Sequence, residues 1–190
     1  MRPRSLLLFV LPLVCSVCTV WCGSARGSAC TSRCCHFAHN FSSRLKTLRE
    51  NYAHIRGFYE ANDDLDVSLL DQTVEESFKS PFACHAMNNI LEFYLDTVLP
   101  AAAAAATEDR RDFQPHMESI QLIFDQLKKD VTKCRHYFSC RNQFDILKLN
   151  STYAQLESKG PYEAMSDLDL LFNYIERYLS SARRRSPAAR

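Results

Sequence analysis

Apolar residues recur at helical spacing along most of this chain, and that periodicity limits the fold more than any other feature. After Phe41, the residues Leu45, Leu48, Tyr52, Ile55 and Tyr59 follow at steps of three and four. Arg44, Lys46, Arg49, Glu50 and Arg56 lie between them. The pattern predicts an amphipathic helix of about five turns at 3.6 residues each, with Ser42 or Ser43 as its N-cap. Asp63-Asp64-Leu65-Asp66 breaks the pattern and reads as a loop, followed by a short helix near residues 68–78. Beyond Pro81, a further stripe of Met87, Ile90, Leu91, Tyr94, Leu95 and Val98 predicts a helix that Pro100 ends.

The six alanines at 101–106 favour helix but offer little to bury, so with the polar residues 107–112 they read as a connector, helical at its start. Met117, Ile120, Phe124, Leu127 and Val131 then make a narrow packing seam. The cysteine-bounded link from Cys134 to Cys140 leads to a helix carrying Ile146, Leu149, Tyr153 and Leu156. Gly160-Pro161 reads as a stop and a start, glycine just past one helix and proline in the first turn of the next. The last helix presents Met165, Leu168, Phe172, Ile175 and Leu179 on one face. The expectation is one all-α domain of about six helices. Four glycines in 190 residues are few for a sheet joined by tight turns.

The start of the chain reads as a leader. Arg2 and Arg4 precede a nearly unbroken apolar run from Leu6 to Val20, with Gly23, Ser24 and Ala25 after it. Basic, apolar, small is the order of a secretory signal peptide. The run is shorter than the roughly 20 apolar residues of a membrane span and is interrupted by Pro12. The division expected is residues 1–25 as signal peptide, 26–180 as helical domain and 181–190 as a basic disordered tail, in a secreted protein without membrane insertion.

Of nine cysteines, Cys15, Cys18 and Cys22 leave with the leader. Six remain: Cys30, Cys34, Cys35, Cys84, Cys134 and Cys140. An even number in an exported chain points to three disulfides, and spacing alone leaves all of their pairings open. Export also argues against zinc at Cys34-Cys35-His36 or at Cys134, His136 and Cys140, so no metal or other cofactor is expected. Arg2, Arg4 and the four tail arginines, taken from 23 basic residues, leave 17 against 22 acidic ones. A slightly acidic body is a poor ligand for nucleic acid. With no Ser/His/Asp set, His-Glu-x-x-His or glycine-rich phosphate loop, the chain does not read as an enzyme.

Residues 159–179, KGPYEAMSDLDLLFNYIERYL, resemble the signature end of the interleukin-10 family of class II helical cytokines. RLKTLRENY at residues 44–52, FYLDTVLP at residues 93–100 and the Cys134/Cys140 pair agree with it. The resemblance covers nearly all the chain from Cys34 to Leu179, and the alanine-rich connector departs from it as an insertion. It implies Cys34 bonded to Cys134 and Cys84 to Cys140, which leaves Cys30 for Cys35. It also implies an intertwined, domain-swapped homodimer of six-helix bundles. There the last two helices of one chain fill the groove left by the first four of the other, with Arg141-Asn142-Gln143 as the short link.

The function implied is that of a secreted, anti-inflammatory cytokine that assembles interleukin-10-type receptor chains to trigger kinase signalling. The family's receptor-facing positions correspond here to Lys46, Arg49, Arg56, Glu60 and Asp66, with Ser166, Asp167, Asp169 and Glu176. Lys46, Arg49 and Arg56 can share one polar helix face, and Asp169 and Glu176 lie two turns apart. Without the resemblance such charges would read as an ordinary solvated face. Glu163 stands where the family often has a basic residue. Asn40 and Asn150 open glycosylation sequons, and Arg183-Arg184-Arg185 offers heparan sulfate a basic tail. The competing readings are a monomeric class II cytokine and a secreted, disulfide-rich helical lipid carrier.

Overall fold

A computed structural model describes residue 30 and residues 32–106, 112–140 and 145–185. The expected leader, the link Arg141-Asn142-Gln143 and the last residues of the arginine tail lie outside the described residues. Those described form helices and no strand. In chain order they are α1 (Arg33–Asn62), α2 (Gln72–Lys79), α3 (Ala83–Phe93), α4 (Leu99–Ala105), α5 (Gln114–Lys133), α6 (Leu147–Gln155), α7 (Gly160–Ser166) and α8 (Leu168–Arg185).

The first helix begins well before Ser42. Ser32 caps it, its hydroxyl accepting from the Cys35 amide at 3.1 Å. The apolar stripe therefore runs on backward through Ala38 and Cys35, and 30 residues at 1.5 Å each span about 45 Å. Phe41, Leu45, Leu48, Tyr52, Ile55 and Tyr59 are each at most 2% exposed, because α1 packs against α5, α7 and α8 together. Asp71 caps α2 by accepting from the Thr73 and Val74 amides, so this helix starts later than the expected residue 68.

Pro100 does not stop the helix it was expected to end. Tyr94–Val98 widens into a π-helical turn between α3 and α4, with the Leu99 amide donating to the Tyr94 carbonyl. Proline lacks an N–H and crowds the carbonyl four residues back. The wider turn moves the pairing off that register, and the helix continues into the alanines. Ala102 is fully buried and its carbonyl accepts from the Tyr59 hydroxyl at 3.1 Å, which fixes the start of the alanine run on α1.

Two further expectations change near the C-terminus. Glu157, not Gly160, takes the left-handed backbone, at φ 49°. Gly160 is instead the first residue of α7, where an added Cβ would come within 3.0 Å of the Tyr153 ring. A missing side chain is needed there, not a left-handed turn. The long final helix is two helices, broken at Asp167. The Tyr94 hydroxyl donates to the Ala164 carbonyl at 2.7 Å and the Tyr52 hydroxyl to the Met165 carbonyl at 2.8 Å. Those carbonyls lie at the end of α7, where the intrahelical acceptors run out of donors. Such breaks raise the helix number above six.

Three disulfides fasten the bundle: Cys34–Cys134, Cys84–Cys140 and Cys30–Cys35. Closing 100 and 56 residues contributes about 4–5 kcal/mol each in the chain-entropy picture, and closing five contributes about 2. Leu48→Ala is expected to cost about 2–5 kcal/mol through the cavity it leaves. Tyr94→Phe should cost about 1–3 kcal/mol by stranding the buried Ala164 carbonyl. Urea unfolding measures both, and an unchanged midpoint for Tyr94→Phe would remove the hydroxyl's part in holding the α7–α8 joint.

Candidate functional site

Along one side of the bundle α1 and α8 run antiparallel, Arg56 opposite Asp169 and Arg49 opposite Glu176. The packed floor of this seam is the Tyr52 ring edge-on to Phe172, with centroids 5.9 Å apart. Seven-residue spacing on each helix returns a side chain to nearly the same angle, so the four charges line up in two rungs above that floor. In the first rung the Arg49 guanidinium donates to Asn173 Oδ1 at 2.8 Å and to Glu176 Oε2 at 3.0 Å. In the second, Arg56 Nη1 donates to Asp169 Oδ2 at 2.9 Å and Nε to Glu60 Oε1 at 2.6 Å. The bond to Glu60 is the largest effect holding the Arg56 proton more firmly than usual.

Each of the charged side chains is 38–50% exposed, so the rungs are open to solvent and weak as stabilisers. They hold donors and acceptors in a fixed pattern at the surface. Lys46 stands apart, exposed and paired within α1 to Glu50 at 3.6 Å. Asp66 is exposed on the loop between α1 and α2. Asn173, which the sequence reading passed over, belongs to the face. It lies four residues after Asp169 and three before Glu176, a signal that a helical wheel carries.

Asp167 faces inward, and Ser166 is half-buried. The Ser166 hydroxyl oxygen is buried. Asp167 is 7% exposed and accepts from the Leu70 amide at 2.8 Å and from the Ser68 hydroxyl at 3.0 Å. The Tyr174 hydroxyl holds the same loop by donating to the Leu70 carbonyl at 3.0 Å. A polar residue at the helix break is thus used as a clasp, which joins the loop after α1 to the start of α8. Glu163 lies beside it and is 2% exposed. Burial first, then the charge of Asp167, then Asp63 by charge and hydrogen bond, push the Glu163 carboxyl up to about 8. Burial likewise raises Asp167.

Both sequon asparagines are exposed on helices, Asn40 within α1 and Asn150 early in α6. Sulfur atoms of Cys30 and Cys35 and a ring nitrogen of His39 lie within 4.8 Å of one another, but the sulfurs are bonded to each other. Among the described residues no helix is long and apolar enough to cross a membrane.

Glu163 generates a pH prediction. Its folded value lies above its ordinary 4.5, so the folded state binds this proton more tightly than the unfolded chain. The contribution is complete below about pH 4.5 and is lost as pH rises through about 8. Glu163→Gln should therefore have a higher Tm than the parent at about pH 9, with the gap closing towards about pH 5. A gap that stays constant in thermal melts across that range would contradict the assignment.

The geometry can be set beside known proteins. The sequence profile of the family described as Interleukin 10 matches residues 10–181. Interleukin-10 of Lama glama is 29% identical over 179 residues, covering 94% of this chain and 97% of the llama protein. Interleukin-10 of Gallus gallus is 31% identical over 154 residues, 80% of this chain and 86% of the other. That of Equus caballus is 29% identical over 157 residues, covering 82% and 86%. The profile spans the cysteine framework, the charged α1–α8 seam and the buried joint below it, and the chain belongs to the interleukin 10 family of helical cytokines.

Proposed function

We propose that this chain is a secreted, anti-inflammatory cytokine that binds and assembles interleukin-10-type receptor chains, with the α1–α8 seam as its main receptor face. The observation that carries the reading is the pair of rungs, Arg49 with Glu176 and Arg56 with Asp169, displayed over a rigid aromatic floor. Pre-positioned charges of both signs steer encounter and set register, and those desolvated in the complex become hot spots. Lys46, Glu60 and Asp66 extend the face. Asp167 serves it from beneath by holding the loop, and the Ser166 carbonyl by accepting from the Tyr52 hydroxyl at 3.3 Å. No step of this action is catalytic.

Assembly follows from symmetry. In the chain described here α7 and α8 pack on α1. In an intertwined homodimer the same contacts form between copies, the short link after Cys140 deciding which chain supplies the last helices. Two copies of the face then gather receptor chains and start kinase signalling inside the cell. Glycans at Asn40 or Asn150 and heparan sulfate on the arginine tail would act outside the seam.

Arg49→Ala and Asp169→Ala should leave helicity and stability within about 0.5 kcal/mol of the parent, while receptor affinity falls by about 1–2 kcal/mol. Thermal unfolding beside binding to receptor ectodomains checks both. Parent-like affinity in the two variants would displace the receptor surface from this seam. Light scattering on the mature protein should give twice the chain mass, and a monomer persisting at micromolar concentration would select the monomeric cytokine reading.

A further inference from the structure

The three disulfides do not share one environment. Cys134 and Cys84 are buried in the core with Cys34 and Cys140 packed against it, and their bonds close 100 and 56 residues. Cys30–Cys35 stands outside that core and closes only five residues. Its two sulfurs are unlike each other. Cys30 is partly exposed, whereas Cys35 is 5% exposed in the first turn of α1, its amide held by the Ser32 cap. His39, one turn further along the helix and exposed, brings a ring nitrogen within 4.8 Å of both sulfurs.

We propose that Cys30–Cys35 is a thiol-exchange site, modified at Cys30 by a small extracellular thiol of the glutathione or cysteine class. The thiolate of that molecule attacks Cys30 Sγ, the accessible sulfur. The Cys30–Cys35 bond breaks and its electron pair leaves on Cys35 Sγ, while a new disulfide joins Cys30 to the small thiol. A second thiol molecule completes the reduction: it releases Cys30 as a thiol and carries away the two small thiols as their disulfide. Helix N-termini and neighbouring imidazolium groups favour thiolates, and a stable thiolate is a fast leaving group. The positive end of the α1 dipole lies at Cys35, the leaving sulfur, and His39 stands within 4.8 Å of both sulfurs. Arg33, exposed on the same turn, adds positive charge, and Asp130 of α5 lies 3.8 Å from it. Cys34 shares the α1 N-terminus but is bonded to Cys134 and packed against the core, which the Cys30–Cys35 pair is not. Opening this bond leaves Cys34–Cys134 to anchor α1.

The test exposes the folded mature protein to graded reduced glutathione, followed by alkylation and peptide mass mapping. A glutathione adduct on Cys30 with a free, alkylatable Cys35 should form at about one-tenth or less of the thiol concentration that opens either other disulfide. His39→Ala should slow the opening roughly three- to tenfold, and His39→Lys, which supplies a cation at that place, should recover the rate. Joint opening of all three disulfides, an adduct on Cys35, or an unchanged rate in His39→Ala would each overturn the proposal. Helicity measured on each variant separates loss of exchange from loss of fold, and none of these readouts depends on receptor binding.

Discussion

The rest of the structure depends on the burial of α1 on several sides at once. A surface helix hides one stripe, but α1 packs against α5, α7 and α8. Leu48, Ile55 and Tyr59 are left with no exposed surface. Each such side chain contributes about 1.5–3 kcal/mol when fully removed from water, so the other helices are organised around this one. The disulfide from Cys34 to Cys134 ties its start to the end of α5, and Arg44 bonds Asp130 at 2.9 Å in the same corner.

Burial on that scale leaves tyrosine hydroxyls inside. Tyr52, Tyr59, Tyr94 and Tyr174 find acceptors, whereas the buried Tyr137 hydroxyl has none among the described residues. The acceptors lie where helices end or bend: Ala102 for Tyr59, Ala164 for Tyr94, Met165 for Tyr52 and Leu70 for Tyr174. The desolvation that makes an unpaired hydroxyl costly also raises the Tyr94 and Tyr52 pKa, so both stay neutral donors. A core of this kind fixes helix termini as well as helix faces. It sets the angle between α7 and α8, and with it the position of Asp169 and Glu176 opposite the arginines of α1.

Parts of the site were legible because they follow from helical geometry alone. Arg49 and Arg56, and Asp169 and Glu176, share their faces by spacing, whatever packs behind them. Their reading as a receptor surface came from the resemblance alone, since no spacing carries it. The burial of Asp167 was not legible for a definite reason: between Ser166 and Leu168 nothing in the local sequence distinguishes a solvated aspartate from a clasp. The groups that decide it, Ser68 and Leu70, lie nearly a hundred residues away.

By itself the sequence determined the all-helical class, the positions of the buried stripes and the use of six cysteines in three disulfides. These depend on residues within a few turns of one another, or on composition. Tertiary structure decided where helices start, bend and join. Ser32 displaced Ser42 as the cap because the apolar stripe had something to pack on further back. Pro100 was absorbed because the π-helical turn before it shifted the hydrogen-bond register. The final helix broke at Asp167 because hydroxyls from α1 and the π-helical turn satisfy the carbonyls that an unbroken helix would have satisfied itself. A helix end depends on where its unpaired carbonyls find donors, and for this chain those donors come from distant segments.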